Sequence, residues 1–429
     1  MSEKKTVGYL SAVSIGIGGM VGGGIFAVLG LSVEMSHGGA PMAFMIAGLV
    51  ALITAYSYSK LSVAFPSSGG TVEFLNQGLG TGIVTGGLNI LLWISYVVML
   101  SLYSYAFGSY GATFFPENEQ TFWRHALTSA VIVSFTLLNF LSAKVVGKSE
   151  EIIVIVKIVI LTLFVAIGFW SVQFDKLEPS QWSPPIALMA GGMIIFLAYE
   201  GFELIANTAG DVKNPKKVLP RAFYTAVLFV IGLYVMVSIV TVGNLSVDKI
   251  AESRDFALAE SAKPFLGHIG FVVIAIAALL STISAINATL YGASRISYII
   301  AKTGELPKHL ERKIWNRPIE GLIITSILTL VIANLFDLTS IATMGSAGFL
   351  LIFAAVNFAN FRLYKKTSSK RLISLIGCIG CIIALGVLIW ETGTTSSQDI
   401  WIFIIMVGMA FTFEIVYRKI TQRSHKRFF

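Results

Sequence analysis

Twelve apolar stretches, each long enough to cross a lipid bilayer as a helix, follow one another along this chain of 429 residues. Only 13% of the residues are charged, whereas an ordinary soluble domain carries about 25%, so most of the chain cannot face water. The sequence therefore predicts an all-α membrane protein with about 12 transmembrane helices. The predicted spans are Tyr9–Ser32, Ala40–Phe65, Gly82–Phe114, Ala126–Ser142, Glu151–Val172, Ile186–Ala209, Ala222–Val242, Pro264–Ile300, Gly321–Phe336, Ile341–Phe361, Leu372–Ile389 and Ile400–Val416.

The positions of the lysines and arginines give these spans an orientation, because basic residues collect on the cytoplasmic side of a membrane. If the N-terminus is cytoplasmic, 25 of the 31 basic residues lie at cytoplasmic ends or loops. Lys157 falls within a span. The remaining five basic residues fall on the outer side of the membrane: Arg124, Lys176, Lys249, Arg254 and Lys263. We therefore expect a multi-pass protein of the cell membrane with both termini in the cytoplasm. The net charge of +8 then needs no nucleic-acid partner.

The sequence predicts no cofactor, no metal site and no catalytic centre. The five histidines are scattered. Cys378 and Cys381 form a C-x-x-C pair inside an apolar run, where we expect both to pack as apolar side chains. No His/Asp or Cys/His set falls within the spans. These observations predict that the protein is not an enzyme.

The first span contains a segment that a straight helix does not tolerate well. Between Gly16 and Gly24, six of nine residues are glycine, and each costs about 1 kcal/mol against alanine in a helix. Close helix packing explains pairs such as Gly18 and Gly22, but not three consecutive glycines. We therefore predict that the helix unwinds near Met20–Gly24.

The sixth span carries a second interruption, from Phe196 to Glu203. Glu200, Gly201 and Glu203 lie there at mid-span, and acids are costly in hydrocarbon. Spans one and six are the first of two sets of five. Paired interruptions at matching places indicate an inverted-repeat transporter with its site between them.

The interruptions predict a chemistry as well as a place. A helix that restarts offers free N–H groups and a positive dipole end to a carboxylate, and one that stops offers free carbonyls to an ammonium. An α-amino acid carries both groups. A halide, a nucleobase or a metal ion could also use broken helices, so the residues alone leave the ligand open.

Several motifs, in order along most of the chain, resemble the amino acid–polyamine–organocation transporter superfamily. They are Gly18–Phe26 in span one, Phe65–Gly70 after span two, Phe196–Glu203 in span six, Asp211–Pro215 and Leu219–Ala222 in the following loop, Tyr291–Arg295 in span eight, and Gly304–Pro307 after it. The resemblance implies a LeuT-type fold of two inverted five-helix repeats, with helices one and six broken. The first repeat would cover residues 1–180 and the second 181–364, leaving peripheral helices eleven and twelve and a C-terminal tail in 365–429.

The resemblance also implies amino acid transport by alternating access, and it carries over site residues. Backbone groups in span one would bind the carboxylate and amine of the substrate: Met20, Val21, Gly22, Gly23 and Gly24. Residues in span six would line the side-chain pocket: Leu197, Ala198, Tyr199 and Glu200. Glu200 departs from the uncharged residue common at this position. It could stabilise the restarting half-helix, or it could contact the substrate amine or a cationic side chain.

Lys157 lies about six residues into span five. Its ammonium could snorkel to the cytoplasmic surface, or it could be buried and exchange a proton during transport, since burial disfavours the charged form of a lysine. The resemblance favours the second interpretation, because a fifth-helix lysine in some members is proposed to carry the proton. Its partners would be carbonyls near Gly19 and the hydroxyls of Ser281 and Ser284, although both serines could equally be packing residues.

Aromatic residues of span three, Trp93, Tyr96, Tyr103 and Tyr105, could cover a pocket or lie at the membrane interface. Taken together, the residues and the resemblance predict an importer of amino acids, a proton-coupled symporter. The alternative is an exchanger of amino acids or polyamines that needs neither sodium nor protons. A membrane enzyme and a non-transporting sensor are the other classes considered. The expected partners are an amino acid, a proton and the lipid bilayer, with no obligatory protein subunit.

Overall fold

The computed structural model describes residues 6–141, 146–311 and 319–421. Each of the 12 predicted spans coincides with a helix or an interrupted helix in these ranges. The spans of the first half are α1 (Tyr9–Met20) with α2 (Gly24–Ser36), α3 (Ala40–Ala64), α5 (Ile83–Ala112), α6 (Gln120–Leu141) and α7 (Val146–Gly168), with the short α4 (Thr71–Leu79) between α3 and α5.

The second half follows the same plan. Its spans are α8 (Pro185–Ile194) with α9 (Glu203–Asn207), α10 (Pro215–Asn244), α13 (Lys263–Thr303), α14 (Ile319–Leu335) and α15 (Leu338–Arg362). Short helices α11 (Val247–Glu252) and α12 (Ala257–Glu260) connect α10 to α13, and α16 (Tyr364–Thr367) follows α15. The chain ends with α17 (Arg371–Thr395) and α18 (Ser397–Thr421).

The lengths and composition of these helices agree with a polytopic membrane protein. Within the described residues, nine helices are long and apolar enough to cross a membrane, and the bent pair α1 and α2 makes a tenth. The remaining two predicted spans are α6 and α14, of which α14 has 17 residues. The interrupted helices, α5 and α15 lie in the interior, whereas much of α17 and α18 is exposed.

Both predicted interruptions are present, and they differ in form. Between α1 and α2 the chain leaves the helix at Val21–Gly23 and the two axes meet at 46°. In span six the α-helix ends at Ile194, a 3₁₀-helix runs over Ile195–Phe202, and α9 begins at Glu203.

The 3₁₀ segment is tied down by a residue of α15. The hydroxyl of Ser346 donates to the carbonyl of Ile194 at 2.9 Å and accepts from the N–H of Leu197 at 3.2 Å. Backbone groups freed by the change of helix type are thereby satisfied inside the protein, as hydrocarbon requires. Span six is therefore interrupted without becoming extended.

Candidate functional site

The two interruptions cross at a point where only glycine fits. A Cβ added to Gly201 would overlap the carbonyl carbon of Gly19 and the amide nitrogen of Met20. A Cβ at Gly24 would lie 2.9 Å from the Cα of Ala198. The glycines that predicted the interruptions therefore let the backbones of spans one and six touch.

Hydroxyl groups from two other helices accompany this crossing. The Tyr234 hydroxyl on α10 lies within hydrogen-bond distance of the carbonyls of Met20 and Ala198, one from each interrupted span. The Ser281 hydroxyl on α13 lies 3.1 Å from the carbonyl of Val21 and 2.9 Å from that of Gly22. Carbonyls freed where α1 ends are thus partnered by the protein itself.

Lys157 on α7 reaches the same region from a third direction. Its side chain is 1% exposed, and its ammonium donates to the carbonyl of Gly18 at 2.9 Å. The acceptor is one residue before Gly19, around which the sequence predicted it. The ammonium is therefore directed at α1 and away from solvent.

A cavity of about 520 Å³ begins beside this crossing. It extends to the face of the bundle on which α1 begins, called the N face below. Its lining is rich in hydroxyl and amide groups and holds two residues with charged side chains, Glu200 and Arg295. The lining comprises Ser11, Ser14, Ile15, Gly18, Gly19, Ser68, Tyr96, Tyr103, Asn139, Val154, Glu200, Gly201, Leu204, Asn207, Thr208, Ser284, Ala285, Asn287, Ala288, Thr289, Tyr291, Gly292, Arg295 and Ile296.

The opposite face is closed above the crossing. The ring of Tyr103 covers the interruption of span one, because a Cβ on Gly23 would lie 2.5 Å from it. Further out, the Tyr110 hydroxyl donates to the carbonyl of Phe26 at 3.0 Å. The loop at Arg254 packs so closely on α2 that a Cβ on Gly30 would overlap the Arg254 backbone.

An ionic cluster joins this loop to α5 and α6. Arg124 donates to the Tyr105 hydroxyl at 2.6 Å, and that hydroxyl donates to Asp255 at 3.3 Å. Asp255 also lies 3.8 Å from Arg124 and 3.5 Å from Arg254. Burial raises the pKa of Asp255, and the two guanidinium groups oppose that rise.

The predicted site residues divide into two groups around the cavity. Gly19, Glu200 and Ser284 line it, as do two aromatic residues of span three, Tyr96 and Tyr103. The others lie buried just beyond its inner end or behind its wall: Met20, Val21, Gly22, Gly23, Gly24, Lys157, Leu197, Ala198, Tyr199 and Ser281. The carboxylate site predicted at the start of α2 is therefore covered in this conformation.

Two carboxyl groups of span six lie three residues apart in different surroundings. Glu203 accepts a hydrogen bond from the Thr71 hydroxyl at 2.6 Å, and Thr71 in turn lies 2.8 Å from the Tyr58 hydroxyl. Glu200 is 4% exposed and faces the cavity. The resemblance implied a pocket role for Glu200 and assigned no site role to Glu203.

Sequence reasoning missed Tyr234 and Ser346, which hold the interrupted backbones. Each lies more than 30 residues from the carbonyls it contacts, and each looks like an ordinary polar residue of a buried helix. Only the matching positions of the two interruptions pointed to a crossing that would need such partners.

Comparisons with known proteins agree with this architecture. The profile of the family described as "Amino acid permease" matches residues 7–411. The uncharacterized protein MJ0609 of Methanocaldococcus jannaschii is 37% identical, over 98% of this chain and 97% of its own length. The inner membrane transport protein YbaT of Escherichia coli is 34% identical, over 93% of each chain.

A solved structure of a mutant manganese transporter from Eremococcus coleocola superimposes with a TM-score of 0.62. The superposition covers 98% of this chain and 97% of the other at 14% identity, so it shows a shared fold alone. The profile match spans nearly the whole chain, and two relatives exceed 30% identity over most of their length. This chain therefore belongs to the amino acid permease family of the amino acid–polyamine–organocation superfamily, and it is a multi-pass membrane transporter with a LeuT-type fold, not an enzyme.

Proposed function

We propose that the protein imports amino acids by proton-coupled symport through alternating access. The substrate carboxylate binds where α2 begins, at Gly22–Gly24, once Tyr103 withdraws. The side chain of the substrate lies against the 3₁₀ segment of span six, beside Leu197–Glu200. Lys157 carries the coupling proton. Both termini face the cytoplasm, so the N face is the cytoplasmic face and the conformation described here is open to the inside.

The observation that carries the proposal is the buried contact between Lys157 and Gly18. A charged ammonium inside a membrane protein is costly unless it is hydrogen-bonded and paired. Burial itself disfavours the charged form of a lysine. Because Gly18 lies just before the interruption, a change in the charge of Lys157 would alter how firmly α7 holds α1.

The shape of the cavity supports alternating access. One face of the molecule gives access to the crossing, and the other is closed by Tyr103 and the loop at Arg254. A transporter must expose its site to one side at a time. If α1 moves when Lys157 loses its proton, the motion links proton release to the change in which side of the membrane the site faces.

Uptake into liposomes tests the proposal. Purified protein is reconstituted without sodium, and entry of a panel of labelled amino acids is measured with and without an inward proton gradient. The gradient should accelerate entry into wild-type liposomes, and Lys157→Ala should abolish that acceleration. Lys60→Ala is the matched control, because Lys60 also donates to a backbone carbonyl, that of Ser368, far from the cavity.

The same liposomes separate symport from exchange. If the gradient has no effect and internal amino acid accelerates entry in both wild type and Lys157→Ala, the protein is an exchanger. Lys157 would then be a structural residue, and the proton-coupling part of the proposal would fall.

A further inference from the structure

The structure limits which group can hold the ammonium of a substrate. Backbone carbonyls near the interruption of span one were the expected acceptors, but several already have protein donors. Gly18 accepts from Lys157 and Met20 from Tyr234, and the single proton of the Ser281 hydroxyl is within reach of the carbonyls of Val21 and Gly22. Each carbonyl oxygen keeps a second lone pair, so a substrate ammonium would share these acceptors with the protein's own donors.

Glu200 offers the substrate an acceptor with a full negative charge. Its carboxylate lies in the cavity wall beside Gly19 and Gly201, and the residue is 4% exposed. Among the described residues, no side-chain donor or cation lies within hydrogen-bond or ion-pair distance of it. The charged form of a carboxyl group buried in this way is costly unless a cation pairs with it.

The cation is not supplied by the other charged residue of the cavity wall. Ala285 on α13 packs beside the interruption, 3.1 Å from a Cβ built on Gly22. Arg295 lies ten residues further along the same helix, about 15 Å toward the N face at 1.5 Å per residue. Arg295 is therefore at the mouth of the cavity, which leaves a ligand as the source of a cation that pairs with Glu200.

We propose that Glu200 binds the primary ammonium group of the transported substrate. The proposal rests on the proposed function, since it names the ammonium-binding group of the same site. It sets the substrate class: a free primary ammonium is required, and an amino acid ester keeps this contact but binds more weakly than the free amino acid, because it lacks the carboxylate that binds at Gly22–Gly24. Molecules whose nitrogen is acylated are excluded, because they bring a carbonyl or an uncharged N–H to a buried carboxylate.

Calorimetric binding to the purified protein in detergent, with no gradient, tests this proposal. The probes are the free amino acids found in the uptake assay, their N-acetyl derivatives and their methyl esters. Glu200→Gln should weaken binding of the free amino acid by about 30-fold or more, because one partner of a buried charge pair is lost. Glu203→Gln is the matched control: Glu203 lies three residues away, pairs with Thr71 and is outside the cavity wall.

Each outcome is decisive. Loss of affinity in Glu200→Gln but not in Glu203→Gln, with wild type binding the methyl ester more tightly than the N-acetyl derivative, supports the proposal. Affinity within threefold of wild type in Glu200→Gln overturns it and leaves proton-coupled uptake untouched. The comparison of ligands needs no variant protein. If wild type binds the N-acetyl derivative as tightly as the free amino acid, the proposal is also overturned. If binding depends on Glu200 as expected but the proton gradient drives no uptake, the coupling mechanism alone is overturned.

Discussion

The ammonium of Lys157 on α7 lies 2.9 Å from the carbonyl oxygen of Gly18 on α1. The contact joins a buried ionisable group to the half-helix that ends two residues later, at Met20. A side chain that must alternate between charged and neutral forms cannot be replaced by one that is always charged. This requirement separates a titrating role from a purely structural one.

Lys157→Arg should therefore abolish gradient-driven uptake, because a guanidinium stays protonated in proteins. We expect at least a tenfold fall in the gradient-dependent rate, in liposomes with an inward proton gradient and no sodium. Exchange of internal for external amino acid, measured without a gradient, should persist in the same variant and reports that the protein is folded. Gradient-driven uptake at the wild-type rate in Lys157→Arg would contradict a titrating lysine.

Gly201→Ala should damage the crossing of the two interrupted spans. The new Cβ would overlap the backbone of Gly19 and Met20, which cannot move aside as a flexible side chain could. Overpacking of this kind costs about 1–3 kcal/mol or more. The expected result is a lower yield of monodisperse protein and a lower unfolding temperature, measured in detergent by size-exclusion chromatography and thermal unfolding.

Gly232→Ala on α10 is the matched control for that substitution, because no atom of the described residues outside its own turns of helix lies within 4 Å of the added Cβ. Alanine is favoured over glycine in a helix by about 1 kcal/mol, so this variant should be as stable as wild type or slightly more stable. If both variants lost stability equally, the close approach at Gly201 would not be the cause.

Much of the fold could be predicted from the sequence because lipid imposes simple rules. Each of the 12 apolar stretches became a helix or an interrupted helix, since no other element satisfies its own backbone within one segment. The interruption at Val21–Gly23 was equally clear, because consecutive glycines weaken a helix wherever it lies. These inferences depend on local composition alone.

Features set by contacts between distant residues could not be predicted. The 3₁₀ form of span six depends on Ser346, about 150 residues from the backbone groups it contacts. Lys157 donates to the carbonyl of Gly18 because packing sets the register of α7 against α1. The conformational state is a further example: no local pattern indicates that Tyr103 covers Gly23 while the N face stays open.

Ser281→Ala should weaken the hold of α13 on the interruption of span one. The hydroxyl lies within reach of two buried carbonyls, Val21 and Gly22, and a buried acceptor left without a partner costs about 1–3 kcal/mol. A lower unfolding temperature in detergent is expected. Ser297→Ala is the control, since the one acceptor of the Ser297 hydroxyl among the described residues is the carbonyl of Ser294 within its own helix. Equal losses in the two variants would argue against a special role for Ser281.

The cluster of Arg124, Tyr105 and Asp255 predicts a specific pH dependence of stability. Burial raises the pKa of Asp255 in the folded protein, so the folded state holds this proton more tightly than the unfolded state does. The stability contributed by the protonated form is therefore complete at low pH and is lost as the pH rises through the folded pKa. Arg124→Gln removes a cation that opposes the rise, so it should steepen this loss and shift it to higher pH.

Asp255→Asn should remove that component of the pH dependence, because the amide does not titrate and can still accept a hydrogen bond from Tyr105. Unfolding temperatures measured between about pH 4 and pH 8 for wild type, Arg124→Gln, Asp255→Asn and the double variant provide the comparison. The double variant should follow Asp255→Asn, since the effect of Arg124 on pH acts through the carboxylate. If Arg124→Gln changed the pH profile equally in the presence and absence of Asp255, the dependence would originate in another group, and the cluster would hold the loop by packing alone.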